Sequence, residues 1–342
     1  MITIDGSLGQ AGGQILRSAV GISSLLLKPV KITNIRKDRG RSGLLAQHLT
    51  GVKIAGEFCN AEIKGLKLGS TEIEFVPKEH IFGDKTIDIG TSRSIPLLLQ
   101  TLTPLLIFSD KPTALTIKGG TAGLGSPTIE FIKYITFPVI SKLGVPLPEI
   151  EVIRQGFYPK GQGIVKVTFN PAGKLNSVKL LDRSNVINVH GISVIGSLPE
   201  HVAERQKLGA MTSLNEHGFD SHIQTELEKT ASPGTSITLV AHCENTVLGS
   251  ENIGKLGVRA EEIGKQCTKE LVASIQSKTA LDKWIADHAL IFLALAHGKS
   301  EVNVETITEH CKTNIKVIEQ MLDVKFEVHE NFISVEGIGY QR

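Results

Sequence analysis

The chain has 342 residues, with 37 Lys+Arg against 35 Asp+Glu and a formal net charge of +2. That near balance excludes a protein that grips nucleic acid through bulk charge, though not one with a local basic groove. Hydrophobic residues at 41% and charged residues at 21% exclude global disorder.

The start, Met1-Ile2-Thr3-Ile4-Asp5-Gly6, has no charged n-region and no long apolar h-region, so no signal peptide is visible, and a cytoplasmic location is the expectation. Asp5-Gly6-Ser7 and Gly9-Gln10-Ala11-Gly12-Gly13 form a Gly-rich strand-to-helix turn. It is either an anion cradle or a tight turn that uses glycine for its backbone freedom. Residues 12–27 read as a helix that stops at Lys28-Pro29, and residues 30–35 as a strand. Arg36, Lys37, Arg39 and Arg41 then crowd the entrance of a second helix over 42–56, where forked guanidinium bonds suit a phosphate and a solvated loop is the plainer alternative.

The pattern returns. Residues 92–107 read as a helix, Lys111-Pro112 precedes a strand over 114–117, and a helix covers 126–143. The stretch from Arg154 to Gly163 reads as a hairpin, with Phe157 and Tyr158 beside Arg154 and Lys160. These aromatics either stack on a nucleotide chain or simply pack on the turn. A third copy has a helix over 283–296, a strand over 302–304, a helix over 307–322 and two alternating strands over 325–328 and 332–335. Each copy is a β-α-β-α-β-β unit.

From Lys28 to Lys111 is 83 positions and from Lys111 to Lys299 is 188, a surplus of 105 that marks an insertion between the second and third copies. It is placed at 185–279, with strands over 186–195 and 236–241 and helices over 199–216 and 258–277. The third copy's first strand, 178–181, lies on the far side of it. The expected architecture is therefore α/β (α+β). A large repeat domain made of 1–184 and 280–342 carries a smaller α/β domain, which should fold separately and touch the active site only at its edges.

Cys59, Cys243, Cys267 and Cys311 form no CxxC pair and read as reduced thiols. The apolar run 289–296 is too short to cross a bilayer, so no membrane partner is expected. Gly249 to Lys255 fits G-x-x-x-x-G-K, but Leu256 stands where a Ser/Thr would bind magnesium and no clear strand precedes it, so a Walker-type ATPase is rejected. His217 and His222 beside Asp220 lack further ligands for zinc. Thr306 and Glu309 form a capping box, which puts His310 in a first helical turn beside the buried stripe Ile307, Cys311, Ile315, Ile318 and Leu322. A histidine there is either a surface residue or a nucleophile oriented by Thr313 or Asn314.

Taken together these motifs resemble the RNA 3'-terminal phosphate cyclases. The Asp5-Gly6 and Gly12-Gly13-Gln14-Ile15-Leu16-Arg17 start, Gly43-Leu44-Leu45-Ala46-Gln47-His48, Gly119-Gly120-Thr121, Gly156 to Gly161, His201-Val202-Ala203-Glu204-Arg205 and His310-x-x-Thr313-Asn314 follow the family's order over nearly the whole chain. The resemblance implies three repeats similar to the C-terminal domain of translation initiation factor 3, with a small inserted α/β domain. It implies ATP and a divalent cation (Mg or Mn) as cofactors, RNA with a 3'-phosphate end as partner, and a homodimer as a candidate assembly. It also implies that His310 is the nucleophile. Gln100, Trp284, Ile285, Ala286, Asp287 and His288 would bind ATP, with Trp284 stacked on adenine and Asp287 on the ribose or orienting His310. Arg17, Arg36, Arg39 and Gln47 would bind phosphate and the RNA end.

Two positions depart from the family pattern. Gln10 replaces the usual acidic residue of the first turn, which weakens or rebuilds any metal site, and Arg93 adds a positive charge near the nucleotide. Two other readings stay open. A non-catalytic RNA-binding scaffold of the same family lacks the histidine. An enolpyruvyl-transferase-like enzyme has similar repeats and ignores ATP.

Overall fold

The structure is a computed structural model that describes residues 1–9, 12–37, 40, 42–90 and 92–342. The chain opens with β1 (Ile2–Asp5), α1 (Gly12–Leu26), β2 (Val30–Thr33), α2 (Ala46–Phe58), β3 (Glu62–Lys64) and β4 (Ile73–Val76). These strands form a sheet of order β1-β2-β4-β3, parallel between β1 and β2 and antiparallel elsewhere. The first helix is apolar nearly all round, because α2 covers one side and elements from later in the chain cover the others. It stops where Leu27 takes φ 53° ahead of Lys28-Pro29.

The next stretch holds β5 (Lys85–Asp88), α3 (Ile95–Leu106), β6 (Thr113–Gly119), α4 (Ile129–Phe131), a π-helical turn (Ile132–Thr136), α5 (Phe137–Ser141), β7 (Glu149–Arg154) and β8 (Gly163–Phe169). Its sheet runs β5-β6-β8-β7 with the same alternation of parallel and antiparallel pairs. Ser94 starts α3 by accepting the Leu97 N–H at 3.2 Å, with Pro96 in the first turn, where its missing N–H leaves no bond unmade.

A short β9 (Lys179–Leu180) leads into β10 (Val186–Gly196), α6 (Glu200–Glu216), β11 (Ser221–Glu228), β12 (Gly234–Cys243), β13 (Val247–Ile253) and α7 (Ala260–Gln276). Strands β10 to β13 form their own sheet, ordered β11-β10-β12-β13. That sheet and its two helices enclose a separate core around Leu214, Ile237, Leu239 and Leu271. The chain closes with α8 (Ile285–Leu295), β14 (His297–Asn303), α9 (Glu309–Met321), β15 (Phe326–His329) and β16 (Phe332–Ile338). Here β9 pairs in parallel with β14 across the whole intervening segment, giving the order β9-β14-β16-β15.

Several sequence expectations shift. The helix expected from 307 begins at Glu309, because Thr308 and not Thr306 caps it, accepting the Cys311 N–H at 3.1 Å. Strands β11 and β13 were not anticipated. The G-x-x-x-x-G-K string runs along β13, whose backbone is engaged with β12, so it forms no phosphate loop. The segment 185–279 also packs closely on the body. Val240 and Val247 belong to the main apolar cluster, and a Cβ on Gly249 would sit 2.3 Å from Ile135. All four cysteines are buried free thiols. Among the described residues no helix is long and apolar enough to cross a membrane.

Candidate active site

Helix α8 starts against Asp282, whose Oδ1 accepts the N–H groups of Trp284 and Ile285 at 2.8 Å each. This anchors Asp287 and His288 one turn further on. His310 sits in the first turn of α9 with its side chain 52% exposed, and its Nδ1 lies 3.7 Å from Asp287 Oδ2. The same carboxylate oxygen accepts a bond from Gln14 Nε2 on α1 at 2.9 Å. Asp287's other oxygen lies 3.5 Å from His288 Nε2, and Gln100 Nε2 on α3 stands 2.6 Å from that same ring nitrogen.

Thr313 and Asn314 serve the scaffold, not the imidazole. The Thr313 hydroxyl donates to Glu309 O at 2.7 Å. Asn314 donates to the Asp287 carbonyl at 2.7 Å and accepts the Ser18 hydroxyl at 2.6 Å. The expectation that either one orients His310 is therefore replaced by Asp287. The Gly-rich turn reaches the same helix, since a Cβ on Gly9, at φ +57°, would sit 2.3 Å from Thr313 Oγ1.

These groups open onto a cleft of about 720 Å³. Gln14, Arg17, Gln100, Asp287, His288 and His310 line one side. Glu251, Asn252, Lys255, Glu262 and Glu270 line the other, and Trp284, 52% exposed, stands at the cleft. A drug- or nucleotide-sized ligand fits a volume of this order. Gln100, Trp284, Asp287 and His288 are thus brought together as expected. Ile285 and Ala286 are not: both are buried in the core and do not line the cleft. They follow Trp284 on a helix whose next residues face inward, so a contiguous motif does not make a contiguous surface.

The electrostatics single out Asp287. Burial alone would raise its carboxyl, but His288, His310 and Gln14 outweigh burial and hold it below the usual range. Burial lowers His288, with Arg17 and His310 adding to the effect against Asp287's pull, so its imidazole favours the neutral form. Burial also brings Arg17 down to about 10, and Asp287 opposes the shift, so the guanidinium keeps its charge at neutral pH.

Arg17 also lines a narrow recess with Gln47, His48 and Arg93. Burial, with Arg17 and Arg36 nearby, pushes His48 down to about 3, and its Nδ1 accepts the Leu45 N–H at 3.1 Å. A Cβ on Gly13 would sit 2.7 Å from His48 Nε2, which explains the second glycine of the pair. Gln47 is exposed and faces a second cavity beyond the recess. Arg39 and Gln10, like Arg41, lie outside the described residues.

Sequence reasoning missed that Gln14 bonds Asp287 and that Lys255 lines the cleft. Gln14 was read only as part of a motif, and Lys255 was set aside with the Walker pattern. For the expected divalent cation, the described residues contain no converging group of three His, Cys, Asp or Glu side chains. A protein-built cation cage does not fit them, and no step below runs through a metal.

The sequence profile described as RNA 3'-terminal phosphate cyclase matches residues 8–328. The chain is 40% identical to a protein of that name from Pyrobaculum aerophilum, over 100% of this chain and 99% of the relative. It is 40% identical to one from Archaeoglobus fulgidus, over 96% and 98%, and 38% identical to one from Pyrococcus furiosus, over 96% and 95%. Among solved structures, the enolpyruvyl transferase NikO from Streptomyces tendae aligns over 99% of this chain and 83% of its own at 9% identity. Its TM-score is 0.23, too low to bear on fold or function.

Proposed function

Because this chain belongs to the RNA 3'-terminal phosphate cyclase family, we propose that it is an ATP-dependent enzyme that converts an RNA 3'-phosphate to a 2',3'-cyclic phosphate through a histidine–AMP intermediate. The observation that carries the reading is His310, an exposed imidazole at the wall of a nucleotide-sized cleft, backed by a buried, ionised Asp287.

Asp287 favours a proton on His310 Nδ1 and leaves the Nε2 lone pair facing the cleft. Nε2 attacks the α-phosphorus of ATP. A P–N bond forms, the α–β P–O bond breaks, and pyrophosphate leaves. A terminal phosphate oxygen of the RNA then attacks the same phosphorus and breaks the P–N bond, which gives RNA-(3')pp(5')A. Finally the neighbouring 2'-oxygen attacks the RNA phosphorus, loses its proton to solvent or a nearby base, and expels AMP. Trp284 stacks on adenine. Gln100 and His288 hold the base or ribose side, and Arg17 meets phosphate charge. Arg36, Arg39 and Gln47 take the RNA end.

The three sheets ordered β1-β2-β4-β3, β5-β6-β8-β7 and β9-β14-β16-β15 support a threefold repeat. The separate core of the fourth sheet supports the division into 1–184 with 280–342, and 185–279.

The test uses an oligoribonucleotide ending in a 3'-phosphate. With ATP, the end should become resistant to phosphatase and reopen as a phosphomonoester in mild acid. His310→Asn should abolish this while melting as the wild type does, since the ring is half exposed. A cyclic end formed without ATP, or none formed at all, contradicts the reading. RNA binding with no ATP use would favour the scaffold reading instead.

A further inference from the structure

The cleft at His310 does not end at Trp284. Leu97, Gly125 and Ser126 line both it and a second cavity of about 520 Å³. That second cavity is lined by Gln47, Arg93, Leu124 and Tyr158 from the body of the protein and by Pro233 to Thr235 and Ile253-Gly254 from the inserted segment. Arg17 lines both the cleft and the narrow recess, and Gln47 and Arg93 line both the recess and the second cavity. The second cavity thus borders the cleft at His310.

Its most conspicuous feature is Tyr158, a residue 75% exposed on a hairpin that is otherwise fixed. The preceding Phe157 is buried. It is wedged where a Cβ on Gly234 would meet its ring at 2.3 Å and one on Gly196 at 2.9 Å. The Gly161 N–H donates to Phe157 O at 2.8 Å, the Lys160 N–H to Ser232 Oγ at 3.0 Å, and Arg154 Nε to Gln162 O at 2.8 Å. The frame is tied on both sides while the phenol ring is left in water. Exposing an aromatic face forgoes burial, and fixing it there lowers the entropy lost when a flat partner stacks on it.

Arg93 supplies charge. One of its nitrogens donates to Ile89 O at 2.8 Å, its charge helps hold Asp88 below the usual carboxylate range, and its side chain lines the cavity. Lys160 and Gln162 of the hairpin also line a smaller recess with Asp88 and Lys118.

We propose that this second cavity holds the RNA chain on the 5' side of the reacting 3'-phosphate, with a base stacked on Tyr158 and a backbone phosphate on Arg93. The inference rests on the RNA-cyclase reading and extends it. A polynucleotide whose last phosphate lies at His310 must leave that cleft, and this neighbouring cavity offers both an aromatic face and a cation. Aromatic stacking on a base tolerates any sequence, so the site should read length more than sequence.

The test compares two 3'-phosphorylated RNAs, a decamer and a dinucleotide, by kcat/KM for cyclisation, together with binding of a 5'-fluorescein decamer by anisotropy. Tyr158→Ala should weaken the decamer roughly five- to a hundredfold in both readouts. It should leave the dinucleotide and the uptake of AMP from ATP unchanged, and Tyr158→Phe should restore decamer use. Arg93→Gln should lower the salt slope of decamer binding by about one. Equal losses on both RNAs, or no loss on either, would overturn the subsite while leaving the cyclase reading intact. A wild-type protein that binds and cyclises neither RNA would overturn both.

Discussion

The surroundings of His310 and the seam where the segment 185–279 packs treat buried carboxylates in opposite ways. On the body side, Asp287 is surrounded by donors and imidazoles and is held below the ordinary range despite its burial. On the side where the inserted segment docks, burial dominates. Glu251, bonded to Thr128, is pushed up to about 7, and Glu130, bonded to Gln155 with one oxygen unpartnered, is also pushed up to about 7. Asp282, which accepts from Gly249 of the insert, rises to about 6. The difference lies in what faces each group. Asp287 meets histidines and an amide, whereas Glu130 meets Glu226 and Glu228, and Glu251 meets Glu130 and Asp282. One keeps a fixed negative charge beside His310. The other stores protons at a seam between two packed parts.

The largest effect expected from breaking this contrast is at Asp287. Asp287→Asn keeps the shape and most bonds but removes the charge. It should slow AMP transfer to the protein by about 10² to 10⁴. The loss should fall on the rate, not on KM for ATP, because Asp287 acts through His310. An equal rise in KM would instead mean that the carboxylate touches the nucleotide.

A smaller effect is expected at Trp284. Removing its ring with Trp284→Ala should raise KM for ATP roughly five- to a hundredfold and leave the maximal labelling rate nearly intact. Lys283 Nζ already lies over this ring at 5.1 Å, and the ring remains half exposed. Unchanged KM would remove Trp284 from the adenine site.

The smallest effect concerns the seam. The folded-state values of Glu130 and Glu251 lie above their unfolded values. Between about pH 4.5 and pH 7 the unfolded chain therefore gives up protons that the folded chain keeps, and stability falls as pH rises through that window. Thermal melting should drop by several degrees from pH 5 to pH 7.5. Glu251→Gln, which keeps an acceptor for Thr128, should flatten that slope. A melting point that climbs over the same range would show that these acids are ionised in the fold.

The helices were legible because their signals are local. Apolar periodicity, Pro29 and the glycine turn place α1 to within a residue, and the spacing of Lys28, Lys111 and Lys299 sets apart the segment that holds the fourth sheet. What stayed hidden depends on packing. Strand β13 carries Gly249, Ser250 and Glu251, poor strand formers on their face, and is a strand because β12 pairs with it and Ile135 needs the space that Gly249 leaves. Within the site, His310 and Asp287 were readable as a motif. Gln14 and Lys255 were not, because their relevance comes from α1 and the inserted segment meeting across the cleft. Ile285 and Ala286 are buried away from the cleft lining, since their place in a motif says nothing about which way a helix turns them.

The central claim is that a covalent nucleotide forms on His310. Incubating the protein with ATP labelled at the α-phosphorus, digesting it and sequencing the labelled peptide tests this directly. The account predicts one labelled peptide, spanning Thr306 to Asn314, with a bond that is labile in acid and stable in alkali. Lys255 lines the same cleft and would form a bond of the same lability, so position decides the matter and acid stability does not. Label on Lys255, or label retained in His310→Asn, would contradict the account.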